Sequence, residues 1–246
     1  MKSIEKLAEI LAQSHIAVFF GGAGMSTESG IPDFRSANGI YNQRLKKILR
    51  PEVMASHSFF MSSPADFFEF YRTRIVYLDA NPNAGHIALA ELEKRGILSA
   101  IVTQNIDGLH QAAGSKNVFE LHGSVRRSFC IDCGENYDLN FIVENKQIPH
   151  CKKCGGIVRP DVVLYEENLD DKILKGAIQA ISKADTLIVG GTSLVVYPAA
   201  GLIDYFNGEY LVIINKTDTR ADVEAELIIR ENIGETLSKA VELIGR

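Results

Sequence analysis

Four cysteines stand in two pairs, Cys130 with Cys133 and Cys151 with Cys154, and seventeen residues separate the pairs. Two residues between thiolates let one tight turn aim both sulfurs at a single ion, and two such turns complete a tetrahedron. The pattern predicts one structural Zn2+ with a closed four-thiolate shell and no catalytic water. Two disulfides, or four unrelated buried cysteines, are the alternatives, and the paired spacing favours zinc over both. Gly134 follows one pair and Gly155-Gly156 the other, which gives the turns backbone freedom. A second chemistry is offered by Gly21-Gly22-Ala23-Gly24-Met25-Ser26-Thr27, a glycine loop directly after an apolar run, where backbone N–H groups can face a pyrophosphate. The third glycine of the G-x-G-x-x-G fingerprint is missing, and glycines also serve simply to turn a chain, so this loop alone leaves nucleotide binding open. Gly190-Gly191-Thr192-Ser193 and Asn215 each follow a further apolar run and add a surface of the same kind. Two such loops suit a dinucleotide better than a mononucleotide. Asn215 would either hydrogen-bond a ribose hydroxyl or act as a turn residue.

These loops need strands to carry them. Residues 16–20 form a short, unbroken apolar run, as expected of a strand buried on both faces, and Ile4, Leu7, Ala8 and Leu11 before it follow helical spacing. A helix with apolar positions Ile87, Leu89 and Leu92 runs to Gly96, followed by a strand at 100–102. Leu174, Ala177, Ile178 and Ile181 form another stripe, then strands at 186–189 and 211–214, then a closing helix through Leu237, Val241 and Ile244. Strands that alternate with helices predict an α/β fold with a mostly parallel sheet covered on both faces. Residues 128–158 break the rhythm, being polar and cysteine-bearing. They are expected to form a small zinc-held module inserted into a discontinuous Rossmann-like domain, residues 1–127 and 159–246.

Composition narrows the function classes. With 246 residues and 46% apolar content the chain can bury a substantial core. A net charge of −5 argues against a phosphate-backbone binder, so nucleic acid is not an expected partner. The uncharged run 186–203 is long enough to raise the membrane question, but Gly190, Gly191, Pro198 and Gly201 interrupt it. The first fourteen residues lack the apolar core of a secretory signal, and paired cysteines suit a reducing compartment; a cytoplasmic location is expected.

Four further segments, in order along the chain, resemble the sirtuin (Sir2-type) family, bacterial members above all. They are Gly22-Ala23-Gly24-Met25-Ser26 running into Gly30-Ile31-Pro32-Asp33-Phe34-Arg35; Thr103-Gln104-Asn105-Ile106-Asp107 with Leu109-His110; His122-Gly123; and Gly191-Thr192-Ser193-Leu194-Val195-Val196. The zinc knuckles fall in the family position. The resemblance implies an NAD-consuming protein-lysine deacylase that moves the acyl group from lysine to ADP-ribose and releases nicotinamide, with acyl-lysine proteins or peptides as partners. An ADP-ribosyltransferase using the same NAD chemistry is the alternative.

By the same resemblance His122 is the general base, apt because imidazole titrates near neutrality. Asn105 contacts the reacting ribose, while Ile106 and Asp107 hold the nicotinamide carboxamide; in an extended segment Asn105 and Asp107 face one side. Gly22, Ala23, Gly24, Thr27, Gln104, Gly191, Thr192, Ser193 and Asn215 would line the NAD site, with Phe34 shielding the ribose, Arg35 on phosphate and Ile233 near adenine. Val162-Val163-Leu164 and Leu194-Val195-Val196 would be the edges between which an extended peptide adds a strand. Tyr71 and Arg74, on a helix expected over 67–78, resemble the pair with which some sirtuins accept succinyl groups; ordinary helix-surface roles are the alternative. One departure stands out: where the family usually has Gly before Glu after the first peptide edge, this chain has Glu166 before Glu167. That change is expected to remove positive φ from the loop.

Overall fold

The computed structural model describes residues 2–33 and 50–244. In chain order these form α1 (Lys2–Gln13), β1 (Ala17–Gly21), α2 (Pro51–Met54), α3 (His57–Ser62), α4 (Pro64–Phe70), α5 (Ala84–Lys94), β2 (Leu98–Thr103), α6 (Leu109–Ala112), β3 (Val118–Glu120), β4 (Gly123–Cys130), β5 (Asn136–Asp138), α7 (Leu139–Glu144), β6 (Val158–Val162), α8 (Asp171–Lys183), β7 (Thr186–Gly190), β8 (Tyr210–Ile214), β9 (Leu227–Ile229) and α9 (Ile233–Ile244). Six strands make a parallel sheet in the order β3-β2-β1-β7-β8-β9. Three make a separate antiparallel sheet, β5-β4-β6.

Strand β1 is apolar throughout because both of its faces are covered. Ala17 and Phe19 point to the layer of α1, α5 and α9, while Val18 and Phe20 point to the layer that includes α8. Strands β7 and β8 alternate likewise: Ile188, Val212 and Ile214 join the first layer, and Leu187, Val189, Leu211 and Ile213 the second. Each buried aliphatic or Phe side chain contributes roughly 1.5–3 kcal/mol. From β1 the chain builds outward through β2 and β3 on one side and returns to β7 on the other, so the end of β1 is a topological switch point, where open α/β sheets hold ligands. A third cluster packs α3, α4 and α7 with β4 and β6 around Phe60, Phe67 and Phe68, whose rings meet edge to face at 5.1–6.1 Å.

Two expectations about helices are corrected. Ile87 is exposed, and His86 takes the buried position on α5 instead. The side chain of Asn83 accepts from Gly85 N and His86 N while His86 Nδ1 accepts from Asn83 N, so a capping box turns His86 inward. The helix expected over 67–78 ends as an α-helix at Phe70 and continues as one π-helical turn, Tyr71–Ile75, closed by Val76 N donating to Tyr71 O. Tyr71 is pulled into the aromatic cluster, stacked on Phe67 with ring centroids 6.0 Å apart. Among the described residues no helix is long and apolar enough to cross a membrane.

Candidate active site

The two glycine loops meet at the switch point. Gly21 and Gly190 are paired residues at the ends of β1 and β7. Beyond them Gly22 N donates to Gly190 O at 3.2 Å and Gly24 N to Gly191 O at 2.8 Å. The backbones touch so closely that a Cβ on Gly24 would sit 2.7 Å from Gly191 Cα and 2.9 Å from its carbonyl oxygen. Gly191 adopts φ +60. Glycine is therefore required here for close approach and for backbone conformation. The loop after Gly22 is two short 3-10 turns, Ala23–Met25 and Thr27–Ser29, with Thr27 Oγ1 donating to Gly24 O at 2.9 Å.

In the sequence Ser26 reads only as part of the glycine loop, yet it is the hub of the polar cluster. Its hydroxyl is buried, donates to Asp107 Oδ2 at 2.6 Å and accepts from Asn105 Nδ2 at 3.0 Å. The glycine loop and the Asn105-Ile106-Asp107 segment are thereby joined through side chains that are far apart in sequence. Nothing in the local pattern distinguished this serine from a turn residue. Asp107 Oδ1 also accepts from Leu109 N at 2.8 Å, and Ile106 O accepts from Val125 N at 2.8 Å, which seats β4 on this segment.

His122 lies between β3 and β4. Its Nδ1 is 2.9 Å from Gln104 O, and a carbonyl oxygen only accepts, so Nδ1 carries the proton and Nε2 keeps its lone pair. Burial lowers the imidazole pKa, and the bond to Gln104 partly opposes that. Gln104 Nε2 donates in turn to Thr192 Oγ1 at 3.0 Å, and Leu194 N donates to the same hydroxyl at 3.2 Å. On the other side His122 O accepts from Val163 N at 2.9 Å. One chain of hydrogen bonds thus runs from residue 163 through His122, Gln104 and Thr192 to residue 194, linking both expected peptide edges to the imidazole. Val162 and Val163 are half-buried, Leu164 and Leu194 are buried, Val195 is exposed, Val196 is half-buried and Ser193 is exposed.

Other expected residues are placed less centrally. Asn215 Nδ2 donates to Thr217 O at 2.8 Å and to Thr217 Oγ1 at 3.2 Å, which is turn chemistry and leaves Oδ1 for a ligand. Ile233 is only 5% exposed and packs against Gly190. Phe34 and Arg35 lie outside the described residues. Tyr71 is 2% exposed, and its hydroxyl has no hydrogen-bond partner among the described residues.

Glu166 corrects the expectation about its loop. It keeps φ +78, so the left-handed turn survives without glycine. Its carboxylate accepts from Ser58 N at 2.9 Å and Ser58 Oγ at 2.6 Å, contacts that hold it below the usual carboxylate range. Leu194, at the other edge, is also left-handed, with φ +52.

The four cysteine sulfurs all lie within 4.8 Å of one another, with 3.4 Å between Cys130 and Cys154 and 3.6 Å between Cys133 and Cys151. Those separations are far beyond a disulfide bond, and four sulfurs at about 2.3 Å from one zinc stand roughly 3.8 Å apart. Gly134 N donates to Cys130 O and Gly155 N to Cys151 O, both glycines with positive φ, so each knuckle is closed by its glycine. The donor set fits Zn2+ with no open position.

Comparison with known proteins agrees with this geometry. The Sir2 family model matches residues 22–198. An NAD-dependent protein deacetylase of Clostridium perfringens is 63% identical over 240 residues, 97% of this chain and 98% of that protein. One of Clostridium tetani is 54% identical over 246 residues, the whole of both chains. Among solved structures, a Sir2 variant with a deacetylated p53 peptide and 3'-O-acetyl ADP-ribose has a TM-score of 0.89 at 38% identity, covering 98% of each chain. A Sir2 enzyme bound to a propionylated peptide has a TM-score of 0.86 at 39% identity, covering 100% of this chain and 99% of that one.

Proposed function

This chain belongs to the Sir2 family, and from that premise we propose that it is an NAD-dependent protein-lysine deacetylase. Lysine is freed of its acetyl group, and the other products are nicotinamide and O-acetyl-ADP-ribose. NAD supplies both the leaving group and the acyl acceptor. The observation that carries the reading is the tautomer of His122, whose Nδ1 is committed to Gln104 O so that Nε2 is available to take a proton from a ribose hydroxyl. The Ser26, Asn105 and Asp107 cluster orients the ribose and the carboxamide, with the Asn105 amide only 9% exposed and fixed by its Nδ2 donating to Ser26 Oγ. Backbone N–H groups of Ala23, Thr192 and Ser193 are suited to the pyrophosphate, with Gly191 N held by Ile214 O and Thr27 on the flank. Residues 162–164 and 194–196 are the edges to which an acyl-lysine peptide adds a strand.

In this reading residues 1–127 and 159–246 form the NAD-binding unit, and 128–158 the zinc module. Free thiolates are needed for that zinc, which suits a reducing cytoplasm. A second acyl preference, succinyl, is supported by the Tyr71 hydroxyl, buried without a hydrogen-bond partner among the described residues, with Arg74 one turn on.

Mass spectrometry of an acetyl-lysine peptide with the protein and NAD tests the proposal. Loss of acetyl with matched nicotinamide release is expected, falling at least a hundredfold in His122→Ala, since a positioned general base contributes about 10²–10⁴-fold. Nicotinamide release from an unchanged peptide would replace deacetylation with ADP-ribosyl transfer or NAD hydrolysis. Running a succinyl-lysine peptide in parallel decides the acyl question: no cleavage removes Tyr71 and Arg74 from acyl selection.

A further inference from the structure

The loop that follows the first peptide edge is fastened by two carboxylates. Glu167 binds its own loop, its Oε2 accepting from Leu164 N at 2.8 Å and both of its oxygens meeting the Arg159 guanidinium at 2.5 and 3.0 Å, and its Oε1 also lies 2.8 Å from His57 Nδ1 at the start of α3. Glu166 turns outward to Ser58, near the start of α3. Between the two contacts the backbone itself is bridged, with Tyr165 N donating to Ala55 O at 3.0 Å and His57 N to Tyr165 O at 3.0 Å.

We propose that Glu166 is a positioning residue for the acyl-lysine peptide: its carboxylate, clamped by the Ser58 N–H and hydroxyl, holds residues 162–164 at the spacing the peptide strand needs. The inference deepens the deacetylase reading and rests on it. A left-handed conformation is disfavoured for a side-chain-bearing residue, and glycine would adopt it freely. A glutamate that nevertheless keeps φ +78 must be held there by its surroundings, and the Ser58 contacts are the ones its side chain makes. The residue thus exchanges glycine's freedom for a tether between the peptide edge and α3. The edge is coupled to the chemistry through Val163 N and His122 O, but Glu166 touches neither base nor cofactor loop. Loosening the tether should weaken peptide capture and leave turnover of bound peptide alone.

The test is steady-state kinetics with an acetyl-lysine peptide and NAD, together with fluorescence anisotropy of the labelled peptide. The variants are Ser58→Ala, Ser58→Thr, Glu166→Gly and the double variant Ser58→Ala/Glu166→Gly. Peptide KM and Kd should rise three- to tenfold in Ser58→Ala and Glu166→Gly, with kcat and the KM for NAD within twofold. The double variant should match the worse single one, because both remove the same contact, and Ser58→Thr should restore affinity. Unchanged peptide KM and Kd in both single variants would overturn the assignment, as would kcat and NAD binding falling alongside them, the mark of general structural damage. Wild-type protein that neither binds nor deacetylates the peptide would overturn the deacetylase reading as well. Wild-type turnover with unaffected variants would remove the tether alone.

Discussion

At the scale of single residues, protonation is decided by burial. His122 is held below the ordinary imidazole pKa of about 6.5, so at neutral pH the base is already in its working form. The rate kcat/KM is expected to be flat through pH 7 and to fall only on the acid side of the ordinary value. A limb centred above pH 7 in the pH–rate profile would assign the titration to another group. The buried pair His86 and His110 shows the same physics more strongly. Their rings lie 4.8 Å apart, and desolvation pushes His86 down to about 4 and His110 to about 3, with neighbouring Asp107 opposing the shift at His86 and the His86 charge adding to it at His110. Both pKa values are depressed by folding, so the unfolded chain takes up these protons first as pH falls. Stability is therefore complete above about pH 6.5 and lost toward pH 4, at up to about 1.4 kcal/mol per pH unit for each histidine. Urea midpoints measured from pH 7 to pH 4.5 should fall steeply, and His110→Phe should flatten the slope; an unchanged slope would show that carboxylates dominate the acid limb.

At the scale of elements, the close approach of two loops makes a sharp prediction. Gly24→Ala puts a Cβ into the backbone of Gly191, where no flexible side chain can yield, so the two loops must part. NAD affinity read by calorimetry should fall at least tenfold, while the melting temperature drops only a few degrees because the strands beneath are untouched. Tight NAD binding by Gly24→Ala would mean that the loops separate without consequence. The elements also show what the sequence made legible. Strands β1, β7 and β8 announced themselves because burial on both faces leaves no polar position to interrupt the run, whereas the exposed Ser99 in β2 confined its legible stretch to residues 100–102. Three-residue β3 and β9 have too few positions for any period to appear. Spacing alone read the cysteine pairs, because the metal imposes it. Ser26 escaped because its role depends on Asp107 and Asn105, eighty residues away, meeting one hydroxyl. The φ of Glu166 escaped because residue type alone gives glycine's conformation to glycine, and the partner that holds it otherwise is Ser58, more than a hundred residues earlier.

For the molecule as a whole, β4 is the shared member between chemistry and metal. It begins at Gly123, directly after His122, and ends at Cys130, a zinc ligand, while Arg127 ties it to Glu120 at 2.7 Å and Asp161 at 2.9 Å. Stripping zinc with a strong chelator should abolish peptide deacetylation and melt the three-stranded sheet, while most far-UV helical signal persists because the parallel sheet and its helices have a core of their own. Full activity in metal-free protein, by atomic absorption, would refute that coupling.

The central position of β1 has a consequence for the birth of the protein. Strand β1 ends at Gly21, but its partner β7 begins only at Thr186. At about 5–20 residues per second on the ribosome, roughly ten to thirty seconds pass between the emergence of one and the other. Throughout that interval β1 lacks the second of its two flanking strands, and the layer that covers Phe19 still lacks α9. The nascent chain is then a natural client for chaperones that bind apolar segments, and mutations that weaken β7 should reduce soluble yield in the cell before they reduce the stability of whatever protein does fold.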